Sequence, residues 1–173
     1  MTTTCLVVMG VSGVGKSTIA ERLADRLGWA MAEGDEYHSD VNVAKMEEGT
    51  PLTDEDRLPW LRRIRAWITE QAEEGRSTVV TCSALKRSYR DMLRETPARV
   101  LFVHLDATAE VIADRLSART GHFMPPRLLD SQFYDLQRLG EDEAGITVDV
   151  EDSPERITEK VLHGLDLEGR ESA

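Results

Sequence analysis

A chain of 173 residues is long enough for one well-buried core and short for two, so a single domain is the default. Its 21 lysines and arginines are outnumbered by 32 aspartates and glutamates, and the formal charge of −11 opposes general attraction to nucleic acid or to an anionic membrane. No apolar run reaches membrane-spanning length, the start Met1-Thr2-Thr3-Thr4 lacks the basic and apolar regions of a secretion signal, and two cysteines without Cys/His metal spacing fit a cytoplasmic setting.

The apolar run Cys5-Leu6-Val7-Val8-Met9 predicts a buried parallel strand. It feeds Gly10-Val11-Ser12-Gly13-Val14-Gly15-Lys16-Ser17, which fits the phosphate-binding-loop pattern of glycine, four residues, glycine, lysine and a hydroxyl residue. Helical periodicity leaves the loop through Thr18, Ile19, Ala20, Leu23, Ala24 and Leu27 until Gly28 stops it. Glycines at this turn let successive backbone N–H groups face inward, and the helix dipole adds partial positive charge where phosphate would sit. Lys16 can then reach the β- and γ-phosphates, and Ser17 offers its hydroxyl to Mg²⁺. The loop by itself predicts a bound Mg·nucleoside triphosphate on Gly10, Ser12, Gly13, Val14, Gly15, Lys16, Ser17 and Thr18, and leaves the phosphate's destination open.

Trp29-Ala30-Met31-Ala32 leads into Glu33-Gly34-Asp35-Glu36-Tyr37-His38, an abrupt change from apolar to polar at the carboxyl end of a second strand, where open α/β sheets bind ligands. Asp35 can accept a proton from a hydroxyl or hold water on Mg²⁺, or else cap a helix. His38 either contacts a polar substrate or caps the helix running through Val41, Val43, Ala44 and Met46.

Thr53-Asp54-Glu55-Asp56 reads as a hydroxyl N-cap with acids in the first turn. The helix it opens has a buried stripe of Leu61, Ile64, Trp67 and Ile68, and Pro59 predicts a kink or a short turn before the long helix. Arg57 among these acids is either a surface ion pair or the fork that grips a carboxylate. Thr78-Val79-Val80-Thr81-Cys82 is the next strand, and it ends at Ser83 without an acid that could support magnesium. In the following helix Lys86, Arg90 and Arg94 share one face; Lys86 and Arg90, nearest the strand end, are candidates for an anionic substrate, and a solvated surface accounts for Arg87 and Arg94.

Val100–Leu105 gives a fourth strand, and a helix with Val111, Ile112 and Leu116 on its apolar face comes next. The basic, glycine-interrupted, proline-terminated segment from Arg115 to Pro126 reads as a mobile lid over about residues 119–126. Arg119 is the better placed of its arginines to stabilise charge on a transferred phosphoryl group. A helical pattern resumes from Arg127 to Leu136, Gly145–Val150 is a fifth strand, and Ser153-Pro154 caps a last helix with Ile157, Val161 and Leu165 on one face. The elements predict a three-layer α/β/α fold around a five-stranded parallel sheet.

Several separated blocks then carry a resemblance. They are Met9 to Ser17; Gly34-Asp35 with His38, Asn42 and Lys45-Met46; Gly49-Thr50-Pro51-Leu52-Thr53-Asp54-Glu55-Asp56-Arg57-Leu58-Pro59-Trp60-Leu61; Cys82-Ser83-Ala84-Leu85-Lys86 with Tyr89-Arg90-Asp91; and Gly121-His122-Phe123-Met124. From Val8 to about Val150 the chain resembles the small phosphate-loop gluconate kinases. The Pro-Trp-Leu and Cys-Ser-Ala-Leu-Lys blocks are specific to that group. The resemblance implies a P-loop NTPase domain over residues 1–173 of nucleoside-monophosphate-kinase-like form, often a homodimer. Its substrate-binding helical region would span about residues 36–75. It implies ATP-dependent phosphorylation of D-gluconate at its 6-hydroxyl, with Asp35 taking the hydroxyl proton. Arg57, Lys86 and Arg90 would lie near the substrate carboxylate, and His38, His122 and Gln132 among the substrate contacts. The nearest rivals are a shikimate-like or nucleotide kinase and a GTP-dependent switch. Against the switch, the chain has no Asn-Lys-x-Asp guanine motif.

Overall fold

The computed structural model describes residues 2–11, 13–118 and 126–167. Strand β1 (Thr4–Met9) is buried along its whole length, as a central parallel strand covered on both faces must be. It pairs with β3 (Thr78–Thr81) on one side and β4 (Arg99–Asp106) on the other; β2 (Ala30–Glu33) lies outside β3 and β5 (Gly145–Asp149) outside β4, giving the all-parallel order β2-β3-β1-β4-β5.

Alternation along the strands splits the core into two layers. Leu6, Val8, Leu101, Val103 and Leu105 point to the side where α1 (Lys16–Leu27), α5 (Ala109–Ala118) and α7 (Pro154–Gly164) supply Leu23, Ile112 and Val161. Cys5, Val7, Met9, Val80 and Phe102 point to the other side, against Trp60, Leu61, Ile64 and Ile68 of α3 (Asp54–Glu73) and Tyr89 and Leu93 of α4 (Arg87–Arg94). This is the three-layer arrangement that the sequence predicts. Two short helices, α2 (Asp40–Glu47) and α6 (Pro126–Asp135), join these layers in the chain, the first between β2 and α3 and the second between α5 and β5. Among the described residues no helix is long and apolar enough to cross a membrane.

Local chemistry sets the element ends. Gly15 sits at φ 95° before α1, and Gly28 takes a left-handed conformation after it. Thr53 and Asp56 form a reciprocal capping box at α3, and Ser39 and Ser153 cap α2 and α7. Three expectations are corrected here. His38 does not cap α2, because Ser39 stands one residue closer and accepts from Asn42 N. No separate short turn precedes the long helix at Pro59: α3 runs from Asp54 through it as one helix. The capping box holds the first turn, burial of Trp60, Leu61 and Ile64 holds the next two, and the proline removes a single ladder bond. That same stripe buries Trp60 to 1% exposure and leaves Trp67 only partly covered.

Candidate active site

The carboxyl ends of β2, β3 and β1 deliver the chemistry to one edge. Their register sets Glu33 beside Thr81 and Thr81 beside Val8, so the end of β2 lies next to the phosphate-binding loop. Gly34 makes that approach possible, since a Cβ there would stand 2.0 Å from the Thr81 carbonyl oxygen. Lys16 curls over the loop, with Nζ donating to the carbonyls of Gly10 (2.9 Å) and Val11 (3.3 Å). Desolvation of the ammonium lowers its pKa, an effect the nearby Asp35 and Glu33 carboxylates partly offset.

Ser17 donates its hydroxyl to Glu33 Oε2 at 3.0 Å, and Thr81 donates to the same oxygen at 2.7 Å while accepting from Gly34 N at 3.1 Å. Glu33 joins this cluster beside the loop, a place that sequence reading did not give it. Its signal was the acid closing a short strand just before the more conspicuous Gly34-Asp35. The arrangement fits a hard divalent cation: with its hydrogen directed to Glu33, the Ser17 hydroxyl keeps its lone pairs for a metal. Asp35 is exposed, caps nothing, and makes no side-chain hydrogen bond to a described residue; its charge acts on Lys16 to one side and His38 to the other. His38 stacks on Trp60 with ring centroids 4.1 Å apart, and Trp60 donates Nε1–H to Gly34 O at 2.7 Å.

Beyond Asp35 lies a group of cations. Arg57 is buried, and its Nη1 donates to Tyr89 Oη at 2.8 Å and to Asp135 Oδ2 at 3.4 Å. Lys86 Nζ meets Asp54 Oδ1 at 2.9 Å, and Tyr89 donates to that same oxygen. The Arg57 and Lys86 charges both lie over the Tyr89 ring, at 5.4 Å and 5.7 Å from its centroid. Tyr89 is thus the common partner of this pocket, a role that its place on a helix face did not reveal.

Arg90 stands elsewhere, and the expectation that it meets an anionic substrate is corrected. It is 0% exposed and all five of its N–H donors are spent inside the protein. Nε and Nη2 hold Glu143 (2.7 and 2.9 Å), Nη1 holds the carbonyls of Ala84 and Leu85 (2.9 and 3.3 Å), and Nη2 also reaches Arg138 O (3.4 Å). Arg94, expected to be solvated, also bonds Glu143 and lies 4.7 Å over the Phe102 ring. These contacts clamp the turn that leaves β3, where Ala84 adopts φ 44° and Ser83 O accepts from Gly10 N at 3.3 Å. Gln132 lies half-buried on α6. Ser12 and the expected lid residues Arg119 and His122 lie outside the described residues.

On the far side of the loop, a cleft of about 350 Å³ is lined by Val14, Gly15, Thr18, Arg115, Val150 and Pro154 among others. Arg115 bridges its walls, donating from Nη1 to Val14 O (3.2 Å) and from Nη2 to Val150 O (2.7 Å). Val14 and Gly15 make this cleft continuous with the phosphate loop.

Comparison with known proteins gives consistent results. A family model described as an AAA domain matches residues 6–139. A gluconokinase from Gluconobacter oxydans (strain 621H) is 50% identical over 163 residues, spanning 94% of this chain and 92% of that protein. An unliganded sugar kinase from Janibacter sp. HTCC2649 is 53% identical, with a TM-score of 0.93 and 98% of each chain covered. A gluconokinase from Sinorhizobium meliloti 1021 is 44% identical, with a TM-score of 0.85 over 95% of this chain and 92% of its own.

Proposed function

The chain belongs to the gluconokinase family, and from that premise we propose how its residues divide the work of transferring phosphate from ATP to D-gluconate. The enzyme is a P-loop kinase that uses ATP and phosphorylates gluconate on its 6-hydroxyl, giving 6-phosphogluconate and ADP. In our reading the amides of residues 13–17 and Lys16 hold the phosphates, and the cleft beside Arg115 takes the nucleoside. Ser17, oriented by Glu33, would hold Mg²⁺, which when bound neutralises charge on the phosphates.

Gluconate would lie between the 3₁₀ turn Gly34–Tyr37, α3 and α4, the region of about residues 36–75 together with the start of α4. Its carboxylate is assigned to Lys86 and Arg57, the cations grouped on Tyr89, with Arg90 acting through the turn it fastens. Asp35 would accept the proton of the 6-hydroxyl as that oxygen attacks the γ-phosphorus in line with the departing ADP oxygen. His38, and from sequence alone His122 and Gln132, are assigned to the substrate's hydroxyls, and Arg119 to the γ-phosphoryl group. A homodimer and a cytoplasmic location complete the proposal; the latter agrees with Cys5 in β1 and Cys82 just past β3 being buried free thiols.

The observation that carries this reading is Asp35, a carboxylate without a hydrogen-bond partner among the described residues, whose charge acts on the loop lysine and on the histidine of the substrate pocket at once. A coupled assay for ADP tests it. Gluconate is expected to support turnover with ATP and Mg²⁺, whereas shikimate and nucleoside monophosphates are not; equal turnover with those acceptors would overturn the assignment.

A further inference from the structure

Asn42 lies on α2 with 5% exposure, and its side-chain amide joins two other elements. Nδ2 donates to the backbone carbonyl of Asp56 at 2.9 Å and lies 3.3 Å from His38 Nδ1. A carbonyl oxygen can only accept, so the amide nitrogen must face Asp56. Turning the amide over would set two acceptors against each other away from water. The second hydrogen of the same NH₂ group is then directed at His38 Nδ1, which must accept it. A neutral imidazole that accepts at Nδ1 carries its proton on Nε2.

The ring is held in place while this happens. Its stack on Trp60 is nearly parallel at 15°, and Trp60 is itself anchored on Gly34 O. The charged groups acting on the ring are Asp35 from the 3₁₀ turn and Arg57 and Arg63 from α3. Burial is the largest influence; with the two guanidiniums it outweighs Asp35 and brings the pKa down to about 4, so the ring is neutral at physiological pH.

We propose that Asn42 is a positioning residue that fixes His38 as its Nε2–H tautomer, so that His38 offers the substrate a neutral hydrogen-bond donor and no acceptor. The hydroxyl contact rests on the gluconate reading above. It separates two tasks in a pocket facing a polyol: Asp35 is left as the acceptor for the reacting hydroxyl's proton, while His38 donates to an oxygen of the chain without competing for it. A second acceptor there would let the hydroxyl direct its hydrogen away from Asp35.

The tautomer is read directly from long-range ¹H–¹⁵N correlations of the labelled full-length protein at neutral pH. His38 should show a protonated Nε2 and an unprotonated Nδ1; a protonated Nδ1 overturns the proposal. Asn42→Asp places an acceptor against Nδ1 and should switch the pattern, and Asn42→Ala removes the constraint. In Asn42→Asp the KM for gluconate should rise about tenfold, the effect of one hydrogen bond lost in a buried site, with the KM for ATP unchanged. A switched tautomer with an unchanged gluconate KM would overturn the substrate contact. The wild-type spectrum decides the tautomer even where a variant folds poorly. A wild-type protein with the Nε2–H pattern that phosphorylates no gluconate would refute the substrate reading, and the hydroxyl contact with it.

Discussion

Glu33 and Asp35 are two carboxylates separated by one glycine, and their surroundings give them different work. One oxygen of Glu33 already accepts hydrogens from Ser17 and Thr81, so it is committed to orienting hydroxyls. Asp35 is exposed beside Lys16 and accepts from no described side chain, which leaves its lone pairs for a hydroxyl arriving from solvent. Replacing Asp35 by Asn keeps the shape and removes the basicity. Turnover should fall by about two to four orders of magnitude, the usual worth of a general base, while ATP affinity measured by titration calorimetry stays near wild type. Near-normal turnover in Asp35→Asn would move the base elsewhere. A parallel loss of ATP affinity would mean that Asp35 acts mainly through Lys16.

At the scale of elements, α4 is where the proposed gluconate site meets the rest of the fold. The connection from α6 to β5 wraps its start: Gln137 accepts from Arg87 N at 2.8 Å, Asp142 pairs with the Arg87 guanidinium, and Glu143 is held by Arg90, Arg94 and Gly140 N. Glu143 is buried, and removing it would leave the Arg90 charge uncompensated inside the protein, a change that costs about 3 to 5 kcal/mol. Glu143→Ala should therefore lower the unfolding free energy in urea by that amount and weaken gluconate binding through the displaced Lys86 and Tyr89; full stability would show that the triad is dispensable. This tether also marks the limit of what the chain discloses by itself. Caps and turns such as Thr53 with Asp56, Ser153-Pro154 and Gly28 are written within a few residues of where they act, so the order and type of elements could be read in sequence. The places of Lys16 and Ser17 at the start of α1 and of Asp35 just past β2 were legible in the same way. Arg90 and Glu143 stand 53 residues apart and Ser17 and Glu33 lie on different strand–helix units, so no periodicity connects them; only the folded register does. A basic helix face therefore suggested a ligand for Arg90 where the fold supplies an internal carboxylate.

For the whole molecule, acid sensitivity is set by which groups the fold buries neutral. His104 is 0% exposed on β4, its two ring nitrogens have no hydrogen-bond partner among the described residues, and burial lowers its pKa from 6.5 to about 4. The nearby Asp106 pulls the other way, while Arg138 and Arg90 reinforce the depression. As pH falls below 6.5 the unfolded chain takes up a proton at this histidine and the folded chain does not, so stability declines from there and the loss is complete near pH 4. For His104 alone the shift corresponds to roughly 3 kcal/mol. His38, also lowered to about 4, adds a loss in the same direction over the same range. Glu143 behaves oppositely in position: it is lowered from 4.5 to about 2 despite burial, because Arg90, Gly140 N and Arg94 favour its charged form, so its contribution disappears only as pH falls from about 4.5 through 2. The interval between pH 6.5 and 4.5 thus separates the histidines from this buried carboxylate. Urea unfolding across that interval should show the wild-type midpoint falling with acidification. In His104→Leu, which replaces an unpartnered ring by an apolar side chain facing the layer of Met9 and Phe102, the slope should be distinctly shallower and the stability at neutral pH no lower than wild type. Equal slopes in the two proteins would assign the acid sensitivity to other groups.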